Sequence, residues 1–228
     1  MKEKKRNIIA IDGPAASGKS TVAAKVAKRL GAVYVNTGNM YRAITHAILE
    51  AKIPPSDEKK INELLKKINL EYRPSKDTEE IILNGERINE KIRSPEIALY
   101  VSKIASIPLV REWLVKKQRL IVDKNHLSVM EGRDIGTVVF PDAKWKFFLT
   151  ASPEVRAKRR LEQSGENFEG ATIATVAKEI AKRDEMDMNR SIAPLKKAED
   201  AILIDSSDMT IDEVVENICK IIKIKEKI

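Results

Sequence analysis

Residues 13–20 read Gly-Pro-Ala-Ala-Ser-Gly-Lys-Ser, a G-x-x-x-x-G-K-[ST] pattern with every fixed position filled. The chemistry of such a run is phosphate binding. Gly13 and Gly18 permit backbone angles that turn successive N–H groups inward. The stretch Gly13, Pro14, Ala15, Ala16, Ser17, Gly18 is thus expected to form a concave nest for phosphate oxygens. Lys19 is placed to reach the β- and γ-phosphates, the Ser20 hydroxyl to ligate Mg²⁺, and Thr21 completes the binding run. The motif needs a strand before it and a helix after it. Both are legible: Ile8–Ile11 is apolar, and Val22, Ala23, Val26, Ala27 and Leu30 recur at helical spacing. A helix N-terminus behind the nest adds partial positive charge. A bound nucleoside triphosphate is the implication.

A donor site leaves the acceptor open, and four further clusters carry candidate chemistry. Thr37 and Arg42, within Asn36-Thr37-Gly38-Asn39-Met40-Tyr41-Arg42, follow a second apolar run; Thr37 could cap the next helix and Arg42 could face a phosphate. Glu131-Gly132-Arg133-Asp134 follows a third run, and an acid here could position Mg²⁺ through water. Arg183, Asp187 and Arg190 are spaced to share one helical face. Arg111, with Ser102 upstream, lies on a pair of helices in mid-chain. Arg156, Arg159 and Arg160 sit on a helix opened by Ser152-Pro153-Glu154, before the polar break 163–167, a reasonable place for a mobile lid.

These residues need a frame. Short apolar runs near Ile8–Ile11, Val33–Val35, Leu127–Met130, Lys146–Leu149 and Ala201–Ile204 alternate with helical patterns. That alternation predicts an α/β fold, a five-stranded parallel sheet flanked by helices. Between the second and third runs the pattern changes over 70–89, where Asn84-Gly85 flanked by alternating residues predicts an inserted antiparallel hairpin. Helices are expected over Pro95–Ala105 and Pro108–Asp123, each starting at a proline. The expected division is a core of 1–37, 124–155 and 190–228, an inserted region 38–123, and a lid region 156–172 followed by a helix 172–189.

The 228 residues carry a formal charge of +8, which suits either a polyanion or a phosphate-rich small substrate. Aromatic residues make up only 4%, and no aromatic–basic interleaving suggests a base-stacking surface, so nucleic acid is not an expected partner. One cysteine, Cys219, excludes an internal disulfide and falls on an apolar helical face. The first apolar stretch is too short for a signal peptide and no run reaches membrane-spanning length, so a cytoplasmic location is expected. A GTPase switch would need a guanine-reading N-K-x-D, which is absent.

Five stretches, 11–21 (IDGPAASGKST), 36–42 (NTGNMYR), 105–119 (ASIPLVREWLVKKQR), 131–143 (EGRDIGTVVFPDA) and 183–195 (RDEMDMNRSIAPL), together resemble bacterial cytidylate kinases, P-loop nucleoside monophosphate kinases that phosphorylate CMP and dCMP. The resemblance implies a monomer that uses ATP with Mg²⁺ and carries an enlarged monophosphate-binding insert. It implies that Thr37, Arg42, Arg133 and Arg190 hold the monophosphate, and that Ser102, Arg111 and Asp134 read the cytosine edge. Arg183 and Asp187 would contact the ribose, Arg156 and Arg160 would be lid arginines closing on the triphosphate, and Lys19, Arg133, Arg160 and Arg190 would be the catalytic charges. Three departures stand out: Asn36 and Glu131 occupy positions where many relatives have Asp, and the segment 163–170 is acidic, with no lysine.

Overall fold

The computed structural model describes residues 5–74, 79–123, 126–162 and 170–226. Its frame is a five-stranded parallel sheet of β1 (Arg6–Asp12), β2 (Val33–Asn36), β6 (Ser128–Gly132), β7 (Ala143–Thr150) and β8 (Ile202–Asp205), in the order β2-β6-β1-β7-β8. The central strands are buried on both faces. Ile8, Ile9, Ala10 and Ile11 are fully covered, which is why they read as continuous apolar runs. All strands run parallel, and the order in which they are added reverses at β1, with β6 and β2 on one side and β7 and β8 on the other. Loops leaving β1 and β6 therefore splay apart at the carboxyl ends, the place where such sheets bind ligands.

Helix α1 (Lys19–Leu30) leaves β1 and buries Val22, Ala23, Val26 and Ala27 against the sheet; Gly31, in the left-handed conformation, ends it. Helix α8 (Ile211–Glu226) packs on the same side through Val215, Ile218 and Cys219. The expected insert is present. It contains α2 (Thr37–Glu50), α3 (Glu58–Lys67), the strands β3 (Leu70–Pro74), β4 (Glu79–Leu83) and β5 (Glu86–Arg87), then α4 (Pro95–Ala105) and α5 (Pro108–Asp123). Asn84 and Gly85 both have positive φ, 52° and 86°, as a two-residue hairpin turn demands. Met40, Ile44, Ile61, Ile81, Ile97 and Leu114 give this region a core of its own.

Beyond β7, α6 (Pro153–Leu161) and α7 (Ile173–Asn189) form an antiparallel pair beside the donor loop. Ser152 caps the first and Thr172 closes a reciprocal cap on the second, so both helix starts fall where the sequence signals put them. The expected lid break at 163–167 lies outside the described residues. Two expectations need correction. Asn36, not Thr37, caps α2, accepting the Asn39 amide at 3.1 Å, while the Thr37 hydroxyl donates to the Glu131 carbonyl at 2.7 Å. Arg190 is not within the helical face of Arg183 and Asp187, because the backbone turns extended at that residue, the C-cap of α7.

Candidate active site

At the carboxyl ends of the strands the loop after β1, the start of α2, the end of β6 and the helices α4, α5, α6 and α7 enclose a cleft of about 480 Å³. Eighteen of the residues singled out by sequence line it: Ala15 to Thr21, Thr37, Arg42, Ser102, Arg111, Glu131, Arg133, Asp134, Arg160, Arg183, Asp187 and Arg190. Four do not: Gly13, Pro14, Arg156 and Arg159.

The donor loop is built by close approach as much as by torsion. A Cβ on Gly13 would lie 2.0 Å from the Leu149 carbonyl oxygen, so only glycine lets the loop leave β1 against β7. Gly13 also has a positive φ, 155°, which L side chains rarely adopt, and Ala16 (φ 56°) and Gly18 (φ 88°) are left-handed. Lys19 is buried and folds back over the loop, donating to the Pro14 carbonyl at 2.6 Å and the Ser17 hydroxyl at 3.2 Å. Burial, helped by the Arg133 charge, lowers its pKa to about 7. Ser20, by contrast, is exposed at the cleft mouth.

Opposite the donor loop the acids are already gripped by arginines. Asp134 is buried between Arg111, whose guanidinium pairs with its carboxylate, and Arg190, at 3.4 Å. Burial raises the Asp134 pKa against the pull of these two charges. Arg111 also lies over the Tyr41 ring at 5.5 Å. Asp187 accepts from Arg133 at 2.9 Å. Burial pushes its carboxyl up, but the charges of Arg133 and Arg183 more than offset this and leave it below its ordinary value. Arg183 donates to the Ser102 hydroxyl at 3.0 Å, which brings α7 and α4 together. Its pKa is lowered to about 9 by burial and by the like charges of Arg133, Arg42 and Arg160. Glu131 accepts from the Tyr34 hydroxyl at 2.9 Å.

Arg156 departs from the expectation of a lid arginine. Its guanidinium is buried behind the donor loop, bound to Asp184 and to the Ala15 and Ala151 carbonyls. Arg159 likewise braces the donor loop from behind, reaching the Ser17 carbonyl at 3.3 Å and the Ser206 carbonyl at 2.8 Å. Two acids escaped the sequence reading. Asp12 ends β1, where it accepts both the Ile135 and Gly136 amides at 2.8 Å and so fixes the π-helical turn Ile135–Val139. Asp184 falls on the buried stripe Val176–Ile180–Asp184. An acid in an apolar strand or on an apolar helical stripe was the available signal in each case, since a charge is seldom buried there without partners.

Residues 9–224 match the model of the family described as Cytidylate kinase. A cytidylate kinase of Bacillus cytotoxicus is 48% identical over 219 residues, 96% of each chain. One of Clostridium botulinum is 49% identical over 215 residues, 94% of this chain and 97% of that one. An uncharacterized protein from Eubacterium ventriosum, solved by crystallography, shares the fold with a TM-score of 0.50 at 18% identity, covering 96% of this chain and 99% of that one. The matched span takes in the donor loop, the insert and α7, and the chain belongs to the cytidylate kinase family.

Proposed function

We propose that this chain transfers the γ-phosphoryl group of ATP to CMP or dCMP, giving ADP and CDP or dCDP. The observation that carries the reading is the arrangement of charge across the cleft. On one side stands a phosphate nest with Lys19; on the other stand Arg42, Arg133, Arg183 and Arg190, with Asp134 and Asp187 as nearby acids. Burial first, and then the like charges of Arg133, Arg42 and Arg160, lower the Arg183 pKa to about 9, so an entering anion would favour its charged form. Two phosphorylated substrates supply such anions.

The attacking atom is an oxygen of the acceptor phosphate, already ionised at neutral pH, so the reaction needs no general base. It needs two repelling anions held in line while negative charge shifts from the γ-phosphoryl to the leaving oxygen. One unlike pair at about 4 Å and an effective dielectric near 20 contributes roughly 4 kcal/mol before desolvation. Several arginines with Lys19 are a proportionate answer. Arginine suits the task because its fork grips phosphate at two points and keeps its proton. Arg42, Arg133 and Arg190, with Thr37, hold the acceptor phosphate; Arg183 and Asp187 take the ribose. Arg111, Asp134 and Ser102 offer a donor, an acceptor and a hydroxyl to the cytosine edge. Arg160, on the wall of the cleft, bears on the transferring group.

The donor set also suits Mg²⁺. Among the described residues no cluster of three His, Cys, Asp or Glu side chains forms a cage, whereas the exposed Ser20 and the buried Glu131 both line the cleft. A hard cation bound by triphosphate oxygens, Ser20 and water fits such a site. Held by Ser20 and, through water, by Glu131, the ion would supply positive charge against the phosphates. The family resemblance suggests a monomer as the active unit. Nucleic acid has no part in the reading. Among the described residues no helix is long and apolar enough to cross a membrane, which is compatible with a cytoplasmic enzyme.

Arg190→Ala tests the reading. Turnover of CMP with Mg·ATP is expected to fall by about 10²–10³-fold while ATP affinity stays nearly constant, because the lost charge acts on the acceptor and the transition state. Equal losses in both would remove Arg190 from that role.

A further inference from the structure

Asp184 sits next to Arg183 and one turn before Asp187, yet its carboxylate points away from the cleft. One oxygen accepts the Ala15 amide of the donor loop at 2.8 Å and the other accepts Arg156 Nη1 at 2.5 Å. The same guanidinium donates to the Ala15 carbonyl and to the Ala151 carbonyl, both at 3.1 Å. Both backbone groups of Ala15 are therefore held by one buried ion pair, whose halves belong to α7 and α6. The apolar residues Ala15, Ala157, Val176 and Ile180 pack around it.

The next residue, Ala16, is held at φ 56°, a conformation an alanine keeps only where its surroundings over-determine it. Neither Asp184 nor Arg156 lines the cleft, so substrate contact does not explain them. A buried pair is also a poor way to add stability, because desolvation cancels much of the attraction. We propose that Asp184 and Arg156 are positioning residues that hold the donor loop at Ala15 in its phosphate-ready shape. Only the acceptor half of the test below rests on the reading given under Proposed function.

Asp184→Asn weakens the pair while keeping an acceptor for the Ala15 amide. Arg156→Lys keeps the charge but cannot fork to two carbonyls and a carboxylate. Equilibrium binding of a non-hydrolysable ATP analogue with Mg²⁺, and separately of CMP, is measured for each variant and for the double variant. The analogue is expected to bind about tenfold more weakly in both single variants. CMP affinity is expected to change less than about twofold, although Asp184 adjoins two acceptor-site residues. The double variant should be no weaker than the weaker single, as for two halves of one unit. Equal weakening of analogue and CMP, unchanged analogue binding, or losses that multiply in the double variant would each overturn the proposal. Should Asp184→Asn fail to fold, Arg156→Lys alone decides by the same ratio of analogue to CMP affinity. Failure of the wild type to bind CMP would refute the acceptor reading while the analogue still judges the pair.

Discussion

Lys19 is the residue on which the donor half of the account turns. Loss of hydration lowers its pKa to about 7, with Arg133 adding to the effect. At about pH 8 the free protein therefore carries much of Lys19 neutral, and an arriving triphosphate, which favours the charged form, must drive its protonation. Nucleotide binding at that pH is expected to take up protons, read as a binding enthalpy that varies with the ionisation enthalpy of the buffer. Lys19→Met should abolish most of the uptake. A heat of binding indifferent to the buffer would contradict a depressed Lys19. The lysine was legible from its place in a fixed motif. Its depressed state was not, because burial under Pro14 and Ser17 is a property of the folded loop.

At the scale of elements, strands and helices were readable wherever burial is continuous or periodic, and their ends were less so. β1 begins at Arg6 because its amide bonds the Asp142 carbonyl, a pairing no local pattern announces. α1 starts at Lys19, before the apolar face begins at Val22, since its first turn is polar and faces the cleft. Gly13 illustrates the same limit. The motif required a glycine there, but the reason is the Leu149 carbonyl 2.0 Å from where a Cβ would stand. Gly13→Ala should therefore part the loop from β7. It is expected to lower the melting temperature by about 2–4 °C for each kcal/mol lost in a chain of this size. It should also weaken ATP-analogue binding by more than about tenfold, since displaced amides no longer converge on phosphate. A variant that melts and binds like the wild type would show that the close approach is dispensable.

At the scale of the whole molecule, the net charge of +8 is the least informative number and its local arrangement the most. Arginines converge on the cleft from α2, the loop after β6, α5, α6 and α7, elements far apart in sequence, so their convergence is a property of the fold rather than of any local pattern. The insert has its own apolar core, but Val122 at the end of α5 packs under the main sheet with Ile8 and Met130, so the inserted region is tied into the body that carries the donor loop. The donor loop and the walls of the cleft opposite it thus hang on one frame. The measurement that tests this account most directly is ADP release from Mg·ATP with CMP, dCMP, UMP, AMP and GMP offered one at a time. Rapid turnover with CMP and dCMP and little with the purine nucleotides is the predicted result. Faster turnover with UMP or a purine monophosphate, or none with any of the five, would contradict the acceptor site assigned to Arg111, Asp134 and Ser102.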